Sequence, residues 1–319
     1  MRALASFIMR GRSQAIVVAI VATCLTLILP PTSLLAGGVV ALVTLRNGAS
    51  EGALVMAASA AIVAVFAAVG LQQPMLALSL GLVLLTTVLP VWLLSSVLRS
   101  TRSLALTATA ALSFGALVVG LFYIATGGTP EIWWKQHFAE MLAGYREALL
   151  QAAEGNPAAL DTAQVDRVTE ALGRFFPMLA NWMTGVLAAA LMTGFMTSVV
   201  LGRWWQAMLY NPGGLRQEVF SIRLGRSVGV LAAVVGVCTF APGVAANFAS
   251  DLLWVFGAIF LLPGVAIVHV WLTGKRYRTP SLVLFYVLLA IIPHVALLLA
   301  ALGWVDTWAN FRARFSSVS

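Results

Sequence analysis

Long apolar runs dominate the chain, with little of the alternation that marks a half-buried strand. They cover residues 15–29, 32–45, 52–69, 75–98, 104–125, 177–201, 227–248, 252–273 and 281–303. About 20 apolar residues in a helix cross the hydrocarbon core of a bilayer. The pattern therefore predicts an all-α, polytopic transmembrane helical bundle of eight or nine spans. The first two runs are short, and Pro30 and Pro31 lie between them. Proline removes a backbone donor and breaks a helix, so 15–45 is either a tight hairpin or one kinked span. Leu4, Phe7 and Ile8, with Arg2 and Arg10, suit a short interfacial helix before it.

The pattern changes over residues 126–176. Trp134, Phe138, Met141, Tyr145 and Leu149 recur at three- and four-residue steps, one apolar face of an amphipathic helix. Thr129 is placed to cap it, with Pro130 as first helical residue. Asp161, with Gln164 three residues on, resembles the capping box of a second helix that ends near Phe176. The expected organisation is one membrane domain in three parts: membrane helices over 1–125, an extracytoplasmic helical pair over 126–176 and membrane helices over 177–319.

Composition agrees. The 319 residues are 61% hydrophobic and 9% charged, against about 25% charged in soluble domains. The net charge of +8 contains no basic run suited to nucleic acid; in a membrane protein, Arg and Lys gather in cytoplasmic loops. With 15–45 as a hairpin, 13 of the 19 basic residues share one side. That places the N-terminus in the cytoplasm of a bacterial inner (cytoplasmic) membrane protein and the 126–176 loop outside. Arg312 and Arg314 are then expected outside, against the rule. Residues 126–176 carry seven acidic and four basic residues.

No motif declares an enzyme, and no cofactor or metal is expected. Neither lysine follows a Gly-rich phosphate loop, and no His-Glu-x-x-His occurs. "GASEG" at 48–52 has nucleophile-elbow spacing but lies between two helical runs; Ser50 and Glu51 more simply cap the second. Cys24 and Cys238 lie in apolar runs and read as small buried residues. His294 follows Pro293 inside the last run. An ionisable residue there is a ligand-site candidate, or a ring bonded to the carbonyl that the proline frees. Trp254 and Asn181 are further pocket candidates. Ala15 and Ala19 have the small-xxx-small spacing of close helix docking.

Specific-looking residues concentrate in "GRWWQAMLYNPGGLRQEV", residues 202–219. Arg203, Trp204 and Trp205 suit a membrane interface. Asn211, Pro212, Gly213 and Gly214 are turn chemistry. After them Leu215, Val219 and Ile222 line one face of a short helix, leaving Arg216, Arg223 and Arg226 polar. The expectation is a cytoplasmic surface helix on anionic lipid, or a docking platform for a cytoplasmic or membrane protein, since Trp, Tyr (here Tyr210) and Arg are hot-spot residues.

"LGRWWQAMLYNPGGLRQE" and the "TLRNGASEG" turn at 44–52 resemble the YybS-like family of predicted bacterial membrane proteins, a domain of unknown function. That family is distantly similar to substrate-binding subunits of energy-coupling-factor vitamin transporters. The resemblance implies a membrane subunit that docks a partner through a small-residue face, here Ala15 and Ala19. Two functions follow: a transport-related protein holding a small solute or working with a partner, or a non-transporting scaffold of envelope assembly that recruits a partner through 202–226.

Overall fold

The structure is a computed structural model and describes residues 1–312 except 27, 71, 73, 156–161, 274 and 276. Among the described residues there is no strand. The helices are α1 (Arg2–Ile8), α2 (Arg12–Thr26), α3 (Ser33–Asn47), α4 (Ala49–Val65), α5 (Pro74–Thr101), α6 (Leu104–Ala125), α7 (Pro130–Gly155), α8 (Thr162–Ala180), α9 (Met183–Tyr210), α10 (Gly214–Ser221), α11 (Arg226–Cys238), α12 (Val244–Trp271), α13 (Arg278–Ile291) and α14 (Pro293–Ala309).

The chain divides into two compact units, residues 1–114, 190–231 and 256–319 in the first and 115–189 and 232–255 in the second. In the first, α2 folds back on α3 after a single 3-10 turn, Pro30–Thr32. The hairpin is visible in the side chains: Ala19 and Thr23 stand beside Ala36 and Val40. Helix α3 is buried from Ala36 to Leu45. Glycines let its neighbour approach: a Cβ on Gly202 of α9 would meet Ala41 Cβ at 2.5 Å, and one on Gly38 of α3 would meet Leu201 at 2.9 Å. Trp205 is fully buried in this core.

Ala15 and Ala19 belong to the same core, each at most 2% exposed. Their face is already covered by this chain's own helices, which corrects the expectation that it docks a partner. Cys24 and Cys238 are exposed rather than buried. A helix apolar all round does not tell, from sequence, which side packs on protein.

Among the described residues, four helices are long and apolar enough to cross a membrane: Ala49–Val69, α6, α9 and α12. Two bent pairs, α10 with α11 and α13 with α14, raise this to six if each is one span. The runs beyond these six are α2 and α3, of 15 residues each, and α5; the last apolar run breaks by 111° at Ile292. In the second unit α7 and α8 pack on each other, with Phe138 stacked on Phe176 at 5.1 Å. Met141 and Tyr145 of the expected stripe stay exposed. Thr129 hands its hydroxyl back to Thr126 O instead of accepting from α7, and Asp161 lies outside the described residues.

Candidate functional site: an arginine-tied platform and a buried carboxylate

The 44–52 turn is held from several directions. Gly48 joins α3 to α4 at φ +129°, a conformation that side chains resist. The last carbonyls of a helix have no partner within it; here Arg99 Nη1 donates to Thr44 O and Leu45 O at 3.2 and 2.8 Å. Gln206 Nε2 also donates to Leu45 O, at 3.1 Å. Trp92 Nε1 donates to Ala49 O at 2.8 Å. Arg46 lies 4.2 Å over the Tyr210 ring. Glu51 pairs with Arg12 at 2.7 Å. It and Ser50 do not cap α4, whose N-cap Gly48 has no side-chain bond.

The 202–226 segment is tied in the same manner. Arg203 grips Glu218 of α10 with both ends of its guanidinium fork, Nε to Oε2 at 3.0 Å. It therefore closes the turn rather than reaching lipid phosphate. Gly213 takes φ +89°, and Gly214 donates to Asn211 O at 3.0 Å. Trp205 is no interfacial residue: its ring is in the core, and its Nε1 has no partner among the described residues. Trp204 and Tyr210 are exposed, as are Asn211 and Pro212. Arg216 is exposed over Phe220 at 5.1 Å. Arg223 donates to Thr307 O at 3.2 Å, so it fastens the segment to α14.

A second anchor comes from the chain's end. Asn310 turns the backbone at φ +48°, and Asp306 accepts from Phe311 N at 2.7 Å. Arg312 pairs with Asp306 at 2.5 Å and donates to Phe220 O at 3.2 Å. Arg312 thus stands beside the platform, which corrects its expected place on the opposite face. Arg314 lies outside the described residues.

Two of these tied segments, the 44–52 turn and 202–226, fall within the region that a family model matches. A family model described as "Predicted membrane protein (DUF2232)" matches residues 13–307. The chain belongs to that family. No curated protein and no solved structure matches it. The family's matched region runs from the start of α2 to Thr307, and so takes in both the 44–52 turn and the whole platform; its description names no activity.

The family's matched region also contains a feature of another kind. Eleven acidic residues occur in the chain, and outside 126–176 only Glu51, Glu218, Asp251 and Asp306 remain. Three of these four pair with arginine. Asp251, the eighth residue of α12, has no cationic partner among the described residues and is 5% exposed. Its Oδ2 accepts from the Tyr123 hydroxyl at 2.7 Å, and its Oδ1 from Gly185 N at 2.9 Å. Tyr123 lies edge-on to Phe248 at 5.0 Å. One residue before Gly185, Thr184 accepts from Trp134 Nε1 at 2.9 Å. Phe122, Trp133, Trp134, His137 and Phe138 continue this as a chain of ring contacts.

Of the pocket candidates, Trp254 lies here. A Cβ on Gly185 would meet its Cδ1 at 2.6 Å. Asn181 is exposed ahead of α9. His294 belongs to the first unit, exposed at the start of α14, with Pro293 as first helical residue. No described group of three or more His, Cys, Asp or Glu could hold a metal. Asp251 had no sequence signal beyond its rarity in an apolar run. Asp306 and Arg312 had none, because their pairing depends on the reversal at Asn310.

Proposed function

We propose that this protein is a membrane subunit that recruits a protein partner through the 202–226 platform, on the cytoplasmic side of a bacterial inner membrane. The observation that carries the reading is how the platform's charges are used. Arg203 and Arg312 are consumed inside the fold, by Glu218 and Asp306, and Arg223, itself exposed, spends one nitrogen on Thr307 O. They fix the shape of a rim on which Trp204, Tyr210, Asn211, Pro212, Arg216 and Arg226 stay exposed. Exposed aromatic and arginine residues on a rigid support suit a protein interface. The arginine bias supports the side: Arg312 joins the thirteen cytoplasmic basic residues and makes fourteen of 19. In this topology the short α2–α3 hairpin and α5 complete eight crossings, the bent α13–α14 pair returns to the side it starts from, and α7 and α8 lie outside.

Two open grooves in the first unit bear on whether the subunit carries a solute. One, of about 590 Å³, runs along α13 from Arg278 to Ala290; the other, of about 570 Å³, lies between α4 and α5. Both are lined mostly by Ala, Leu and Val and suit acyl chains better than a polar solute. That favours partner recruitment over a solute-holding role. A vitamin-transporter kinship rests on the sequence resemblance alone, and its small-residue docking face is buried here.

The test is purification from native membranes in mild detergent, with mass spectrometry of copurifying proteins. Arg216→Glu with Arg226→Glu should release the partner at unchanged melting temperature. A partner retained in full by this variant, or none in the wild type, overturns the reading.

A further inference from the structure

We propose that Asp251 is a reversible proton-binding site in the second unit, with Tyr123 as its hydrogen-bonding counterpart. The proposal is independent of partner docking at 202–226. It starts from the way the chain uses acid outside 126–176, where every other carboxylate has an arginine. An ionisable group inside a span, facing protein and without a counter-ion, marks an ion or proton path more often than a structural role.

The surroundings decide which cation. Both carboxylate oxygens already accept a hydrogen bond. Gly185 is pressed so closely against them that a single added carbon would lie 2.7 Å from Oδ1 and 2.6 Å from Trp254. Tyr123 closes the other oxygen. A metal ion or an amine would have to displace these groups. A proton displaces nothing.

The charged and titratable groups on neighbouring elements are few. Helix α6 carries only Tyr123, and the α9 residues of this unit carry none. Helix α7 brings Glu131, followed by Lys135, His137 and Glu140. The described part of α8 has Asp166, Arg167, Glu170 and Arg174, and the tail of α11 has Cys238. None of these supplies Asp251 with an ion pair among the described residues.

Burial without a cation disfavours the anion, whereas each donor stabilises it. The opposition makes the proton exchangeable. Uptake takes one proton from water and forms one O–H bond at Oδ2. Tyr123 then turns from donor to acceptor, which a phenol allows. Gly185 N–H keeps donating to Oδ1. The tie between α6 and α12 survives with its direction reversed.

The experiment is infrared difference spectroscopy on the full-length protein in lipid nanodiscs as pH is stepped. The wild type should show a carboxylic-acid carbonyl band that grows in on acidification as one titration. Asp251→Asn should abolish it. Tyr123→Phe, which keeps the ring against Phe248, should shift both the band and its midpoint. A carboxylate that stays ionised throughout, or an acid band that never titrates, overturns the proposal. So does a midpoint displaced by adding sodium or lithium ions, which would indicate a metal cation instead. If Asp251→Asn does not fold, Tyr123→Phe decides alone: an unmoved band and midpoint overturn it.

Discussion

At the residue scale, the chain's few ion pairs divide by burial. Arg146–Asp166, at 2.8 Å between α7 and α8, has side chains 49% and 60% exposed. Such pairs are worth about 0–1 kcal/mol, so Arg146→Ala should barely move the melting temperature. Arg312–Asp306 has side chains 6% and 1% exposed. Removing one partner of a buried pair leaves the other charge uncompensated and costs about 3–5 kcal/mol. Asp306→Ala should therefore lower thermal stability in detergent markedly. Asp306→Asn, which keeps an acceptor for Phe311 N–H, should cost less. Equal melting temperatures for Asp306→Ala and the wild type would show that α14 is not anchored through this pair.

At the element scale, helices in a bilayer gain no hydrophobic drive from touching each other, so close packing of small residues carries much of their association. Helices α12 and α14 show this at Gly264 and Gly303. A Cβ on either would run into backbone of the other helix, at Leu299 O and Phe260 O respectively. Gly264→Val or Gly303→Val must push the helices apart, and overpacking of this kind typically costs about 1–3 kcal/mol. Gly257, on the same α12, has nothing within 4 Å of its Cβ position, so Gly257→Ala should be neutral or stabilising through helix propensity. Fluorescence-detected size-exclusion chromatography after heating reads all three. Similar losses at 257 and 264 would show that helix propensity, not close approach, governs these positions.

At the scale of the whole molecule, the prediction concerns sidedness. Gln151 is exposed on α7, in the stretch richest in acid. A single cysteine placed there should react with a membrane-impermeant thiol reagent in cells whose outer membrane alone is permeabilised. Cys24 and Cys238 are exposed on the chain and must be replaced first. A cysteine at Gln217, beside the platform, should react only after the inner membrane is opened. Labelling in the reverse order would invert the topology and place the platform outside.

The sequence by itself determined what depends on neighbours along the chain. Apolar run length led to helices and a membrane. The Asn211–Gly214 dipeptides led to a turn, and Gly213 does take the left-handed conformation. The three- and four-residue spacing over 134–149 led to α7. What it could not determine depends on which helix face meets which. Runs apolar on every side carry no signal separating lipid-facing from protein-facing positions, so Trp205 was read as an interfacial residue and is core, while the small-residue spacing of Ala15 and Ala19 meets this chain's own helices. Arg312 was assigned by chain order, yet the 111° break at Ile292 and the reversal at Asn310 bring it to Phe220. Asp251 meets Tyr123 across 128 residues of chain. Only tertiary structure decides such a contact, because its existence depends on the return path of whole helices and not on any local pattern.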